Sequence, residues 1–140
     1  MITTIDSNVF IAFWDANDAL NSLAQSALTA AWNRGSLVVA APVYAELLAF
    51  PGRSEVFLDS FLSETGITVE WEIDEATWRA AGRAFQTYAA RRRRHSGSAP
   101  RRILADFLIG AHALRNGYRL LTLDSGLYTA AFPRLTVIAI

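Results

Sequence analysis

The chain contains no cysteine and no lysine. Without cysteine it has no disulfide framework, no thiol nucleophile and no thiolate zinc site. Its two widely separated histidines, His95 and His112, do not make a zinc site either. Without lysine, a Walker phosphate loop, Schiff-base chemistry, and haloacid-dehalogenase or phospho-receiver sites are excluded. All thirteen basic residues are arginine. The longest apolar run, LVVAAPVYAELLAF (37–50), is too short to span a membrane and is broken by Pro42 and Glu46. Asp6 and Asn8 interrupt the N-terminal apolar stretch before it reaches signal-peptide length. A cytoplasmic location with no membrane partner is therefore expected.

The 140 residues are 52% apolar and carry four Trp, eight Phe and four Tyr, enough for one packed core and a single domain over 1–140. Net charge is zero but unevenly placed. The segment RRRRHSGSAPRR (91–102) holds six arginines and no acid, which leaves seven arginines against thirteen acids elsewhere. Such a split suggests an acidic site beside a basic loop.

Hydrophobic periodicity alternates strand and helix. Residues 2–6 read as a short buried strand, with Ser7 or Asn8 capping a helical turn to about Trp14. Asp18 reads as the cap of a helix to about Arg34, with Leu20, Leu23, Ala24, Ala27, Leu28, Ala31 and Trp32 inward. LVVAA (37–41) is a buried strand, and Pro42 opens a helix carrying Glu46 on its second turn. Ser54 starts the next helix with Val56, Phe57, Phe61 and Leu62 inward, closed by Gly66. ITVEWEI (67–73) alternates like a strand. Asp74 caps a long helix to about Arg92 with Trp78, Ala81, Phe85 and Tyr88 or Ala89 on one face. A helix from Arg102 to Asn116 closes at Gly117, RLLTLD forms a buried strand, and LTVIAI the last one. Alternation of this kind argues for a parallel or mostly parallel sheet between two helical layers.

Four acids fall at strand ends and helix starts: Asp6, Glu46, Asp106 and Asp124. In an α/β chain these places converge on the carboxyl edge of the sheet, where ligands bind. Carboxylates gathered there repel one another unless a divalent cation sits among them, which points to Mg²⁺ or Mn²⁺ and phosphate chemistry. Each acid has a plainer reading: Asp6 as a cap, Glu46 as an exposed helix acid, Asp106 at the positive helix end, Asp124 as a turn former before Ser-Gly. Gly110, one turn after Asp106, costs about 1 kcal/mol relative to Ala in a helix and so suggests close approach of another backbone. His112 reads as packing or bonding away from Asp106, and His95 as solvated. The four Trp follow core periodicity, with Trp14 and Trp71 open to a second reading as surface anchors.

DSNVFIAF, VYAELLAF, ADFLIGAHAL and LLTLDSGLY together resemble the motifs of the PIN-domain nucleases, and in length the chain is most similar to VapC-type toxins of toxin–antitoxin pairs. The resemblance covers essentially the whole chain. It implies a three-layer α/β/α sandwich and a metal-dependent endoribonuclease, with Asp6, Glu46, Asp106 and Asp124 as catalytic metal-site acids. It further implies supporting hydrogen bonds from Ser7, Asn8 and Thr122, an antitoxin partner, an RNA substrate and a homodimer. The basic loop departs from the family pattern. Its arginines, Arg91, Arg92, Arg93, Arg94, Arg101 and Arg102, read either as a phosphate-backbone clamp or as a solvated connection. Two rivals stand beside this reading: a PIN-like module that binds RNA or protein without cutting, and a different acidic-site phosphoesterase.

Overall fold

The structure, a computed structural model, describes residues 1–96 and 103–140. The side chain of His95, together with Arg101 and Arg102, lies outside the described residues. In chain order the elements are β1 (Ile2–Ile5), α1 (Ser7–Trp14), α2 (Asn21–Arg34), β2 (Ser36–Ala40), α3 (Ala41–Leu48), α4 (Glu55–Thr65), β3 (Thr68–Glu70), α5 (Glu75–Ser96), α6 (Leu104–Asn116), β4 (Arg119–Thr122), α7 (Ser125–Ala131) and β5 (Val137–Ala139).

The strands form one sheet in the order β3-β2-β1-β4-β5, and every pairing is parallel. Parallel neighbours need crossovers, and the helices between them cover both faces, giving a three-layer α/β/α sandwich. The three central strands are buried on both sides, which is why they read as near-continuous apolar runs: Leu37, Val38, Val39 and Ala40 in β2, Leu120 and Leu121 in β4. Phe10, Leu47, Leu58, Phe107 and Ile109 reach this core from the helices. Each fully buried side chain of this size contributes roughly 1.5–3 kcal/mol by leaving water.

The order of strands reverses at β1, whose neighbours are β2 on one side and β4 on the other. Thr4 pairs with Val38 and with Leu120. Continuing these registers by two residues sets Asp6 level with Ala40 and Thr122, and Ala40 in turn pairs with Glu70. A row of four residues thus marks the carboxyl edge of the sheet.

Several local expectations hold. Ser54 caps α4 by accepting the Phe57 N–H at 3.1 Å, and Asp74 does the same for α5 from Thr77 at 2.8 Å. Gly66 and Gly117 end their helices in the left-handed region, φ 71° in both.

Others need correction. Helix α2 begins at Asn21, not beside Asp18, because the Asp18 carboxylate accepts the Leu20 N–H at 2.7 Å and closes a tight turn ahead of the helix. Its inward stripe is Ala24, Leu28 and Ala31, while Leu20, Leu23 and Trp32 are exposed. In α4 the buried residues are Leu58 and, as expected, Leu62; Val56 and Phe57 are exposed, and Phe57 packs instead in a surface cluster with Trp14 and Phe61 over which the Arg53 guanidinium lies. In α5, Thr77 and Ala81 face inward and Trp78 is exposed. Trp14 packs against the core, whereas Trp32, Trp71 and Trp78 are exposed, so most of the tryptophans do not follow core periodicity and Trp71 takes its surface reading. The strand expected over 67–73 is paired only over Thr68–Glu70. Among the described residues, no helix is long and apolar enough to cross a membrane.

Candidate active site

At the end of β1 the chain turns into α1 through Asp6, whose extended backbone lets its Oδ1 accept the Ser7 N–H at 2.8 Å. The cap of α1 is therefore Asp6, in line with its plainer sequence reading, and not Ser7 or Asn8. Asn8 works differently: its Oδ1 accepts the Leu123 N–H at 3.1 Å and ties the start of α1 to the end of β4. Thr122, fully buried, donates its hydroxyl to Asp6 Oδ2 at 2.8 Å and accepts the Asp124 N–H at 2.9 Å. One threonine thus fixes two of the four acids across the β1–β4 crevice, the place where the strand order reverses and α/β sheets bind ligands.

Glu46 approaches from the second turn of α3. Ser7 Oγ lies 3.2 Å from Glu46 Oε1 and 3.5 Å from Asp6 Oδ1. A hydroxyl has one proton to give, so Ser7 serves one carboxylate at a time. Asp106 occupies the first turn of α6, where the helix dipole favours an anion. Asp124 precedes α7, but its side chain makes no capping hydrogen bond there.

Burial first, and then the Asp124 charge, push the Asp6 carboxyl above its ordinary value, against the hydrogen bonds that favour the anion. Burial likewise raises Glu46, with the charges of Asp6 and Asp106 adding to it. The phenol of Tyr128 is raised by burial and by Asp6, Asp106 and Glu46 together. Its hydroxyl is coupled to Asp6, but the approach falls short of good hydrogen-bond geometry. The electrostatic couplings therefore link the acids in a chain, Asp124 to Asp6, Asp6 to Glu46 and Glu46 to Asp106. Among the described residues neither Asp6 nor Glu46 pairs with an arginine.

Among the described residues no three acidic or histidine side chains are arranged as a direct ligand set for a metal ion. Mg²⁺ does not demand one, since it keeps several waters and is held by one or two carboxylates. A buried Asp6 given only neutral donors, beside like-charged neighbours, is a donor set that fits such an ion.

Tyr128 was missed in the sequence. The available signal was its spacing: four residues after Asp124, it falls on the same face of the following helix. Gly110 is correctly read as a close approach, but the neighbour is the Phe132 ring, on which a Cβ would land, not another backbone. His112 turns away from Asp106 as expected. Its Nε2 lies 2.9 Å from Glu70 Oε1, while the Tyr118 hydroxyl donates to Glu70 Oε2 at 2.7 Å and has its own pKa pushed up to about 12. Arg91, Arg92, Arg93 and Arg94 lie on α5, which continues to Ser96, so the basic run begins on a helix and not in a loop.

The sequence profile of the PIN domain matches residues 3–133. The chain belongs to the PIN-domain family. No curated protein matches this PIN-domain chain by sequence. Among solved structures, VapBC-1 from nontypeable Haemophilus influenzae superposes with a TM-score of 0.67 at 20% identity, covering 99% of this chain and 98% of that one. VapBC2 from Rickettsia felis, bound to a DNA fragment from its promoter, gives 0.66 at 17% identity with 99% and 98% covered. FitAcB from Neisseria gonorrhoeae gives 0.64 at 22% identity with 99% and 96% covered. At these identities the likeness speaks for the PIN fold alone.

Proposed function

We propose that this PIN-domain protein is a metal-dependent endoribonuclease and the toxin of a toxin–antitoxin pair. The observation that carries the reading is the buried Asp6, which is coupled electrostatically to Glu46 and Asp124 and has no cationic partner among the described residues. A divalent cation held there supplies an activated water and neutralises charge on the scissile phosphate. Asp6 and Glu46 would offer hard oxygen donors, and Asp106 and Asp124 would be the further acids of the site. Thr122 and Ser7 hold Asp6, and Asn8 holds the β4 end, so the donor geometry is set before the ion arrives. No side-chain nucleophile is needed, in keeping with a chain that has neither cysteine nor lysine.

The toxin role and the antitoxin partner draw support from the motif resemblance and from structural likeness to the two-component VapBC assemblies. A cytoplasmic homodimer is part of the same reading. Purified protein is expected to cleave cellular RNA with Mg²⁺ or Mn²⁺, and to lose that activity in EDTA and in Asp6→Asn. Equal activity on DNA or p-nitrophenyl phosphate would favour the other phosphoesterase, and RNA binding without any cleavage the non-cutting module.

A further inference from the structure

Between α5, α6 and α7 runs an open groove of about 570 Å³. Ala80, Ala84 and Tyr88 of α5 form one wall, and Leu127, Ala131 and Phe132 the other. Arg83, Arg91 and Arg92 line the same groove, and no acid does. Arg83, Thr87 and Arg91 recur every four residues and so share one stripe of the helix, with the two arginines about 12 Å apart along its axis. Among the described residues, neither Arg83 nor Arg91 pairs with an acid.

None of the four acids lines the groove, but it shares elements with the candidate site. Two of its helices are those that carry Asp106 in the first turn of α6 and follow Asp124 at α7. Tyr88 packs on Phe107, the residue after Asp106, with ring centroids 5.5 Å apart. Leu127 adjoins Tyr128, whose phenol feels Asp6, Asp106 and Glu46. Cations along a helix, with aromatic and apolar surface between them, form the surface that single-stranded nucleic acid takes: phosphates on arginine, base and sugar faces on the floor.

We infer that the α5–α7 groove is the path of the single strand leading away from the acidic site, with Arg83 and Arg91 binding its phosphates. The inference rests on the nuclease reading and adds Arg83, outside the basic run, to the binding surface. An acidic amphipathic helix is the competing occupant, but the helices shared with the acids favour a nucleic-acid strand.

The test measures binding of a single-stranded RNA oligonucleotide across a salt series in an Asp6→Asn background, where cleavage does not interfere. Removing one arginine–phosphate pair is expected to flatten the log–log salt slope by about 0.7, so Arg83→Ser with Arg91→Ser flattens it by about 1.4. Arg83→Lys is expected to keep the slope. Arg79→Ser, on the same helix but paired with Glu75 at 2.8 Å, is expected to leave it unchanged. With Asp6 intact, the paired serine variant should raise KM and leave kcat alone. An unchanged slope in that variant, while the parent binds RNA, overturns the groove and leaves the nuclease reading standing. A parent that binds no RNA at all overturns both.

Discussion

Asp6 and Glu70 stand level with one another across the sheet, two strands apart, in opposite company. Glu70 has a complementary partner on each oxygen, His112 on one and the Tyr118 hydroxyl on the other. These bonds pin the end of β3 to α6 and to the entry of β4. Asp6 is more deeply buried, yet the groups around it are neutral hydroxyls, a backbone amide and two more carboxylates, Glu46 and Asp124. One carboxylate is completed by its own fold. The other has no cationic partner among the described residues, and an arrangement of that sort costs stability and is characteristic of functional sites.

The largest expected effects separate the two carboxylates by activity. Asp6→Asn should abolish RNA cleavage, whereas Glu70→Gln should keep it, because Glu70 faces α6 and not the crevice. Loss of cleavage in a folded Glu70→Gln protein would break the comparison. The stability effects should run the other way. His112→Ala empties a buried site and strips Glu70 of its partner, so a loss of about 2–4 kcal/mol is expected in urea unfolding.

Helix α6 carries both Asp106 and His112, and Gly110 between them lies against Phe132. Gly110→Ala gains about 1 kcal/mol of helix propensity but overpacks against that ring at a cost of about 1–3 kcal/mol. A small net loss should result, and Phe132→Leu in the same chain should relieve it. An additive double variant would show that the ring does not set the height of the helix.

The smallest effect is the dependence on pH. Raised carboxyls hold protons in the native state that the unfolded chain has already released. Metal-free stability should therefore fall as pH rises from the ordinary values of 3.8 for Asp6 and 4.5 for Glu46 toward their raised ones. Asp6→Asn should flatten that slope, as read from thermal unfolding across the acid range.

The parallel sheet between helical layers was legible because strands and helices alternate and the runs in β2 and β4 are mostly apolar, and the acids stood out because they interrupt or end apolar runs. Caps written in Ser54, Asp74, Gly66 and Gly117 were legible for the same local reason. The inward faces of α2, α4 and α5 were not. Leu23, Val56 and Trp78 fit a helical stripe as well as Ala24, Leu58 and Thr77 do, and only the direction of approach of the sheet chooses between them. The Glu70–His112–Tyr118 group and the Arg83 groove join residues far apart in sequence, so no local pattern announces them. Tyr128 could have been read from its spacing to Asp124; its burial among the acids could not.

If the crevice at Asp6 is a carboxylate cluster short of a cation, supplying the cation or removing the charge should each stabilise the fold. Thermal unfolding of the parent and of Asp6→Asn, each in EDTA and in Mn²⁺, reads both effects at once. Mn²⁺ is expected to raise the parent's Tm, Asp6→Asn to be the more stable of the two in EDTA, and Mn²⁺ then to add little to it. An Asp6→Asn protein that is less stable in EDTA, and that responds to Mn²⁺ as the parent does, would show that the crevice holds no such site.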